Sequence, residues 1–365
     1  MHGQGRAAYK ARQKDPQVAA KLQQKATNWR QLTSKLAQAP PDVAWELTET
    51  LLKVNPDPLY IWNQRRTLFL ERLIDDHSVE KELGLTAAAL QSNPKAYGAW
   101  FHRKWVLTQA AEKITNMTDL LQQELGLTEL FLQRDERNFH CWNYRRFVVA
   151  LQMQADSDGS WWFLLMDSDE KVQKSDPNCQ KRVMGSQVVL SINSVDTKPS
   201  HPTPTATAAK ILRAEWEFTH TKIGQNFSNF SAFHYRSKLF KLLWTNVEKI
   251  DISAEFQLVE DAVFTEPDDQ TAWWYQDFLL DCLATLEGDA AGPSFEKLIQ
   301  KHLENLTELA EEVTECKWVR LGMLRCLAYL PDTKDRQQEL WQEVIIMDPD
   351  REARYRHMLT KLDRD

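Results

Sequence analysis

A pattern of twelve residues recurs along this chain, and it limits the possible folds more than any other feature. Five segments carry it: NPDPLYIWNQRR from Asn55, NPKAYGAWFHRK from Asn93, DERNFHCWNYRR from Asp135, NFSNFSAFHYRS from Asn226 and EPDDQTAWWYQD from Glu266. Each has an aromatic at its eighth position: Trp62, Trp100, Trp142, Phe233 and Trp273. An arginine follows three residues later in the first four (Arg65, Arg103, Arg145, Arg236), and Gln276 stands in the fifth. A sixth, degenerate copy begins at Asp348, with Tyr355 in the aromatic slot. Successive aromatics lie 38, 42, 91, 40 and 82 residues apart. The basic period is therefore near 40, with two longer steps.

Each segment follows a stretch whose apolar residues recur at helical spacing, such as ELGLTAAAL and ELGLTELFL. In the middle four copies a Glu opens that stretch 18 residues before the aromatic. The Asn-Pro or polar equivalent then interrupts the helix. Asn or Asp suits an N-cap, and Pro suits the first position of a new helix. Aromatic and Arg at i, i+3 share one face of that second helix. Each repeat thus reads as a helical hairpin, and stacked hairpins make an all-α fold, an α–α solenoid or superhelix. The period is too long for a tetratricopeptide, and W-x-x-R replaces that repeat's small-residue pattern. The aromatics are expected to pack between neighbouring hairpins. The arginines are expected to cap carbonyls at the end of an adjacent helix or to pair with a Glu. These nine residues read first as scaffold.

The step from Trp142 to Phe233 exceeds one period by about 51 residues, and the excess falls in 155–208. Nine of the fourteen residues Ser194–Thr207 are Ser, Thr or Pro, a composition that disfavours packing. The organisation expected is one α–α repeat domain over 1–365, with 155–208 a loop-like insertion. An unspliced intron would leave the same trace. The second long step contains Phe295–Leu330, which keeps helical periodicity and a Trp-bearing segment, CKWVRLGMLRCL.

Composition narrows the function classes. Eleven glycines in 365 residues argue against turn-rich β structure, and 42% hydrophobic content against a wholly disordered chain. A net charge of −7 argues against a nucleic-acid binder. No apolar run approaches the roughly 18 residues of a membrane span, so no integral membrane contact is expected. The polar N-terminus has no apolar core of a signal peptide. The five cysteines form no C-x-x-C pair and read as reduced thiols, which points to a cytoplasmic protein.

The repeat P-x-x-x-x-x-W-x-x-R resembles that of protein prenyltransferase α subunits, over roughly 43–150 and 211–362. Within the family, NPKAYGAWFHRKW, RNFHCWNYRRFV, QNFSNFSAFHYRS, FTEPDDQTAWWY and the ending KWVRLGMLRCL with MDPDREARY are most similar to the Rab geranylgeranyltransferase (type II) group. The insertion has no counterpart in that pattern. The resemblance implies a crescent of helical hairpins wrapped around a β subunit that carries the zinc and the isoprenoid pocket. It implies no metal on this chain; as the sequence stops at Asp365, the leucine-rich and immunoglobulin-like additions of some larger relatives are not expected. The sequence agrees with that division: it has no H-E-x-x-H and no close His/Cys/Asp cluster. His2, beside Gly3, could reach a metal held by a partner.

The implied reaction moves a geranylgeranyl group from its diphosphate to C-terminal cysteines of Rab GTPases, with Rab escort protein as a further partner. Charge grows on the departing diphosphate, so pre-placed donors are the natural device. The family's α-subunit Lys and Tyr lie five and three residues before the second repeat Trp, which are Lys95 and Tyr97 here. Its phosphate-side His lies two before the third, which is His140. Phe139 stands where the farnesyltransferase type has Tyr. The resemblance thus implies catalytic roles for Lys95 and Tyr97, with His140 on the diphosphate side.

Read from the residues alone, Asn93 as N-cap and Pro94 at N1 would put Lys95 at N2, where an anion meets free N–H groups and the positive end of the helix dipole. A solvated helix-start lysine is the plain alternative. Tyr97 reads equally as packing, and His140 as an interface histidine. Two other functions stay open at this point: the α subunit shared by farnesyltransferase and type I geranylgeranyltransferase, or a non-catalytic α-solenoid scaffold.

Overall fold

The computed structural model describes residues 16–72, 74–111, 113–155, 182–184, 187–189, 205–286 and 293–362. His2 and most of the 155–208 insertion lie outside the described residues. Among the described residues, a helix α1 (Pro16–Leu36) precedes seven pairs of helices. These are α2 (Pro41–Val54) with α3 (Leu59–Leu70), α4 (Asp76–Ser92) with α5 (Tyr97–Ala110), and α6 (Met117–Arg134) with α7 (Phe139–Ala155). After them come α8 (Ala206–Gln225) with α9 (Phe230–Asn246), and α10 (Ile252–Thr265) with α11 (Gln270–Leu286). Last are α12 (Pro293–Glu312) with α13 (Lys317–Leu327), and α14 (Lys334–Met347) with α15 (Glu352–Leu362). The fold is all-α, an α–α solenoid of helical hairpins. Between α7 and α8 one short antiparallel ribbon is described, β1 (Arg182–Met184) on β2 (Gln187–Val189), with Val183 opposite Val188.

The helix starts differ from the sequence expectation. Asn93 is the C-cap of α4, and its N–H donates to the Ala89 carbonyl at 2.9 Å. The Ala96 N–H closes a turn on the Asn93 carbonyl at 3.0 Å, and α5 begins only at Tyr97, with Ala96 as N-cap. Lys95 therefore sits on the turn, not at N2. Asn55 ends α2 in the same way, with Pro58 as the N-cap of α3. The reason is steric. A residue before Pro is pushed out of the helical region, and Asn93 is extended at φ −138°, ψ 94°. Asn there ends one helix instead of starting the next.

Contacts divide the chain into two compact units, the first holding 1–133, 143–148 and 173–196, the second 134–142, 149–172 and 197–365. Within each, first helices stack on first helices and second on second, as α2 on α4 and α3 on α5, or α9 on α11 and α10 on α12. The repeat aromatics make those interfaces. Trp62 stacks on His102 of the next hairpin at 4.8 Å between centroids, and Trp100 on Tyr144 at 5.2 Å. In the second unit Trp142 meets Tyr235 at 6.2 Å, and Phe233 meets Tyr275 at 5.2 Å. Gly98 admits the preceding Trp62, whose ring would lie 2.6 Å from a Cβ there. Each repeat indole also donates back to its own loop, from Trp62 to Pro56 O (2.8 Å), Trp100 to Pro94 O (2.9 Å), Trp142 to Glu136 O (2.8 Å) and Trp273 to Pro267 O (2.8 Å).

Three of the repeat arginines pair with a Glu, as expected, but the carbonyls they bond lie inside helices, not at helix ends. Arg103 lays Nε and Nη2 on the two oxygens of Glu124, each at 2.6 Å, and turns Nη1 to Leu83 O and Thr86 Oγ1 at 2.6 and 2.8 Å. Leu83 lies within α4, so its carbonyl accepts on a second lone pair and no helix end is capped. Arg65 repeats the scheme with Glu82, Trp45 O and Thr48, and Arg236 with Glu255, Trp216 O and Thr219. Arg145 bonds Thr128 at 2.9 Å. The Glu takes one more donor, from the residue two past the repeat aromatic: His102 Nε2 on Glu82 (2.9 Å), Tyr144 on Glu124 (2.5 Å), Tyr275 on Glu255 (2.7 Å). One buried carboxylate thus ties two consecutive hairpins together.

The fifth copy departs from this scheme on both sides at once. Gln276 replaces the Arg, and Val259 stands where the other copies have Thr. Gln276 instead donates to Gly322 O at 3.0 Å and accepts from His302 Nε2 at 3.0 Å, while His302 Nδ1 meets Glu260 at 2.7 Å. The long step after Trp273 holds a whole further hairpin, α12 with α13. Its Cys316 is the N-cap, so the aromatic slot four residues on is filled by Arg320, not by Trp318. Arg320 donates to Val313 O at 2.8 Å and Ala310 O at 3.2 Å, taking over the indole's bond to the loop.

Candidate functional site

The loops that lead into the second helices are built alike. In each, the side chain opening the repeat accepts the N–H two residues on: Asn55 from Asp57 (3.1 Å), Asn93 from Lys95 (3.1 Å), Asp135 from Arg137 (3.3 Å) and Asn226 from Ser228 (2.8 Å). This Asx turn fixes the residue five before the aromatic. Neighbouring loops are also bonded to each other. Asn93 Nδ2 donates to Asp57 Oδ1 at 2.9 Å. In the second unit Asn226 Nδ2 donates to Glu136, Asn229 Nδ2 to Glu136 O at 3.1 Å, and Ser228 to Glu266 and, at 2.7 Å, to Asp269.

Lys95 and Tyr97 come together on one such turn, in the first unit. Lys95 is exposed, and Tyr97 opens α5 with 57% of its surface in solvent. The Tyr97 ring stacks on Phe101 one turn along, with centroids 6.1 Å apart, so the side chain is partly packed as well as partly exposed. His140 lies in the second unit, on the first turn of α7. Asn138 caps that helix, its Oδ1 accepting from His140 N (3.1 Å) and Cys141 N (3.2 Å). The His140 ring is half-buried against Phe139, at 4.0 Å between centroids, and Phe139 is 58% exposed. The scaffold residues are all buried: Trp62, Arg65, Trp100, Arg103, Trp142, Arg145, Phe233, Arg236 and Trp273.

Charge on these helices is segregated in a way the overall net of −7 conceals. The second helices α3, α5, α7 and α9 contain no Asp or Glu, and nine Arg or Lys. Arg65, Arg103 and Arg236 pair with Glu82, Glu124 and Glu255 from first helices; the other cations on these second helices include Arg66, Lys104, Arg146, Lys238 and Lys241. Arg66 lies over the Phe101 ring at 4.6 Å, and Lys104 over Phe147 at 5.5 Å. Burial lowers the Arg66 pKa, yet a guanidinium stays charged at neutral pH.

At the Glu82 centre burial and hydrogen bonding act on two groups at once. Burial pushes the Glu82 carboxyl up, but the bonds from His102 and Arg65 outweigh it, and the group ends below its ordinary value. His102 goes down: burial disfavours its charged form, and Glu82 offsets only part of that. The neutral ring must then donate from Nε2 to Glu82, and Nδ1 lies buried without a partner. Tyr144 and Tyr275 are pushed well above the ordinary phenol range, first by burial and then by Glu124 and Glu255, so both remain donors. Among the described residues no group of three or more His, Cys, Asp or Glu could hold a metal, and no helix is long and apolar enough to cross a membrane.

Sequence reading offered a Glu partner for the arginines but did not identify which Glu, nor the Thr and the second donor that complete each staple, although their signal is there. Glu stands 20 before the Tyr or His at the second position past the aromatic, and Thr stands 17 before the Arg. Both separations exceed any helical period, so only the hairpin geometry gives them meaning.

Known proteins share this pattern. The family described as "Protein prenyltransferase alpha subunit repeat" matches residues 79–110, 121–152 and 212–243. Geranylgeranyl transferase type-2 subunit alpha of Rattus norvegicus is 30% identical over 250 residues, covering 64% of this chain and 33% of the relative. The Homo sapiens protein of the same name is 31% identical over 250 residues, with the same coverage. That of Schizosaccharomyces pombe is 29% identical over 178 residues, covering 42% of this chain and 51% of the relative. The alignment thus spans about a third of the mammalian relatives' length. A solved structure, Candida albicans protein geranylgeranyltransferase-I complexed with GGPP, aligns with a TM-score of 0.58 over 92% of this chain and 91% of that one. At 15% identity it shows the fold alone. Three of its hairpins thus carry the protein prenyltransferase alpha subunit repeat, and the fold is shared with the solved structure.

Proposed function

We propose that this chain is the α subunit of a Rab geranylgeranyltransferase. It would act as a heterodimer with a zinc-bearing β subunit, and with Rab escort protein, to transfer geranylgeranyl from its diphosphate to C-terminal cysteines of Rab GTPases. The observation that carries the reading is the turn Asn93–Tyr97. It presents Lys95 and Tyr97 outward, at the family's offsets from the repeat Trp, beside helices that hold no carboxylate. Zinc on the partner would supply the thiolate. This chain's share is the other half of the reaction. As C1 leaves the diphosphate, negative charge builds on the bridging oxygen. The Lys95 ammonium and Tyr97 hydroxyl would stabilise that charge, and the His140 imidazole would donate from the diphosphate side.

The test is single-turnover prenylation of a Rab by the reconstituted heterodimer, with escort protein and geranylgeranyl diphosphate. Lys95→Ala should slow the step on the order of 10²-fold, with little change in diphosphate affinity. Lys95→Arg should rescue poorly, because a planar fork does not replace a compact point charge. A wild-type rate for Lys95→Ala in an intact heterodimer would refute the site. Prenylation of a C-terminal peptide without escort protein would instead assign the chain to the shared-subunit class.

A further inference from the structure

The turn that carries Lys95 is tied to the preceding hairpin by a chain of three side-chain bonds. Asn55 Oδ1 accepts the Asp57 N–H at 3.1 Å and so fixes the first loop. Asp57 Oδ1 accepts from Asn93 Nδ2 at 2.9 Å across the loops of two hairpins. Asn93 Oδ1 accepts the Lys95 N–H at 3.1 Å. From the core side the turn is held by the buried Trp100 indole, which donates to Pro94 O at 2.9 Å. Asn93 and Pro94 are half-buried, and Lys95 is exposed. The polar bonds of Asn93 and Asp57 hold the turn from its solvent side.

We infer that Asp57 and Asn93 are positioning residues for Lys95. The inference rests on the reading of Lys95 as a diphosphate-facing group. The chemistry at position 93 is demanding: one side chain must accept a backbone N–H two residues on and donate to a carboxylate on another loop. Asn does both, because its amide carries an acceptor and a donor on adjacent atoms. Asp would keep the Asx turn but set a second carboxylate against Asp57. Gln reaches too far for the Asx turn. Asp57 is itself a loop residue with no place in the core, so its bond to Asn93 has no packing role to explain it. A 1 Å displacement of a substrate-positioning group is enough to cost large factors in rate.

The experiment is a double-mutant analysis in the assembled heterodimer with escort protein, Rab and geranylgeranyl diphosphate. Asn93→Asp and Asp57→Ala should each lower the single-turnover rate on the order of tenfold and speed hydrogen exchange of the Lys95 amide. The swap Asp57→Asn with Asn93→Asp restores a donor facing an acceptor, with the Asx turn intact. It should return the rate to within about twofold of wild type. In a Lys95→Ala background, Asn93→Asp should cost nothing further, because its effect passes through Lys95.

An equal loss in both backgrounds would overturn the inference while leaving Lys95 in place, since the relay would then serve the fold. Failure of the swap to rescue, with hydrogen exchange at Lys95 unchanged, would overturn it as well. A wild-type rate for Lys95→Ala itself would remove the site reading and the relay together.

Discussion

The Arg103–Glu124 staple invites the sharpest test of how the hairpins are held together. Arg103→Met removes both bonds to Glu124 and the bond to Leu83 O, while Thr86 keeps its own bond to that carbonyl at 2.9 Å. The main damage is therefore to Glu124. It is 2% exposed and would retain only the Tyr144 hydroxyl, at 2.5 Å, among the bonds described here. Breaking one side of a buried ion pair costs about 3–5 kcal/mol, because the remaining charge is stranded. At roughly 2–4 °C per kcal/mol for a unit of this size, the melting temperature should fall by about 6–20 °C.

Replacing both partners, Arg103→Met with Glu124→Leu, should cost far less, since a well-packed apolar pair often matches a buried ion pair. The chain already shows such a paired exchange: where Arg becomes Gln276, the Thr becomes Val259 and His302 enters. Thermal unfolding of the purified chain, followed by circular dichroism, reads both variants. A single variant within 2 °C of wild type, or a double variant worse than the single, would show that the carboxylate is not what the Arg neutralises.

Three other outcomes follow from the same geometry. Trp100→Ala should cost about 3–5 kcal/mol in denaturant unfolding, whereas Trp100→Phe, which loses chiefly the bond to Pro94 O, should cost only about 1 kcal/mol. On acidification, His102 is lowered from 6.5 in the fold, so the unfolded chain takes up its proton first. Stability should therefore be full above about pH 6.5 and fall below it; Glu82, also lowered, adds a further loss at more acid pH. His102→Gln should abolish the loss nearer neutrality in a pH series of melts and leave the lower one. Tyr97→Phe should slow single-turnover prenylation less than Lys95→Ala, because a neutral donor stabilises a growing charge less; an equal or larger effect would reverse the two roles.

The helical hairpin, its period and the packing role of the aromatics were legible because they depend on local spacing. Trp62, Trp100, Trp142, Phe233 and Trp273 all stand at one offset from their loops, and all are buried. The helix starts were misread because Asn-Pro is ambiguous. Asn is a good N-cap and an acceptable helix end, and only the extended conformation that Pro94 imposes on Asn93 decides between them. The sixth hairpin was hidden because Arg320 does an indole's work with a different side chain. A pattern search for aromatics passes over it and stops at Trp318.

The candidate site lies between these cases. Residue types and offsets pointed to Lys95 and Tyr97, but the reason offered for Lys95, a place at the second residue of a helix, is not the one the fold provides. The turn places the lysine ahead of the helix, on an Asx turn tied to Asp57 in the preceding hairpin. The functional difference is substantial. A lysine at N2 would be oriented by its own helix and would survive changes elsewhere. A lysine on this turn depends on side chains 2 and 38 residues upstream. In a repeat protein that dependence has a general form. Loops of neighbouring hairpins are bonded to each other, as Asn93 is to Asp57 and Ser228 to Glu266 and Asp269, so an exposed residue inherits its geometry from its neighbour. Variation in the first hairpin should therefore reach the chemistry of the second without touching it.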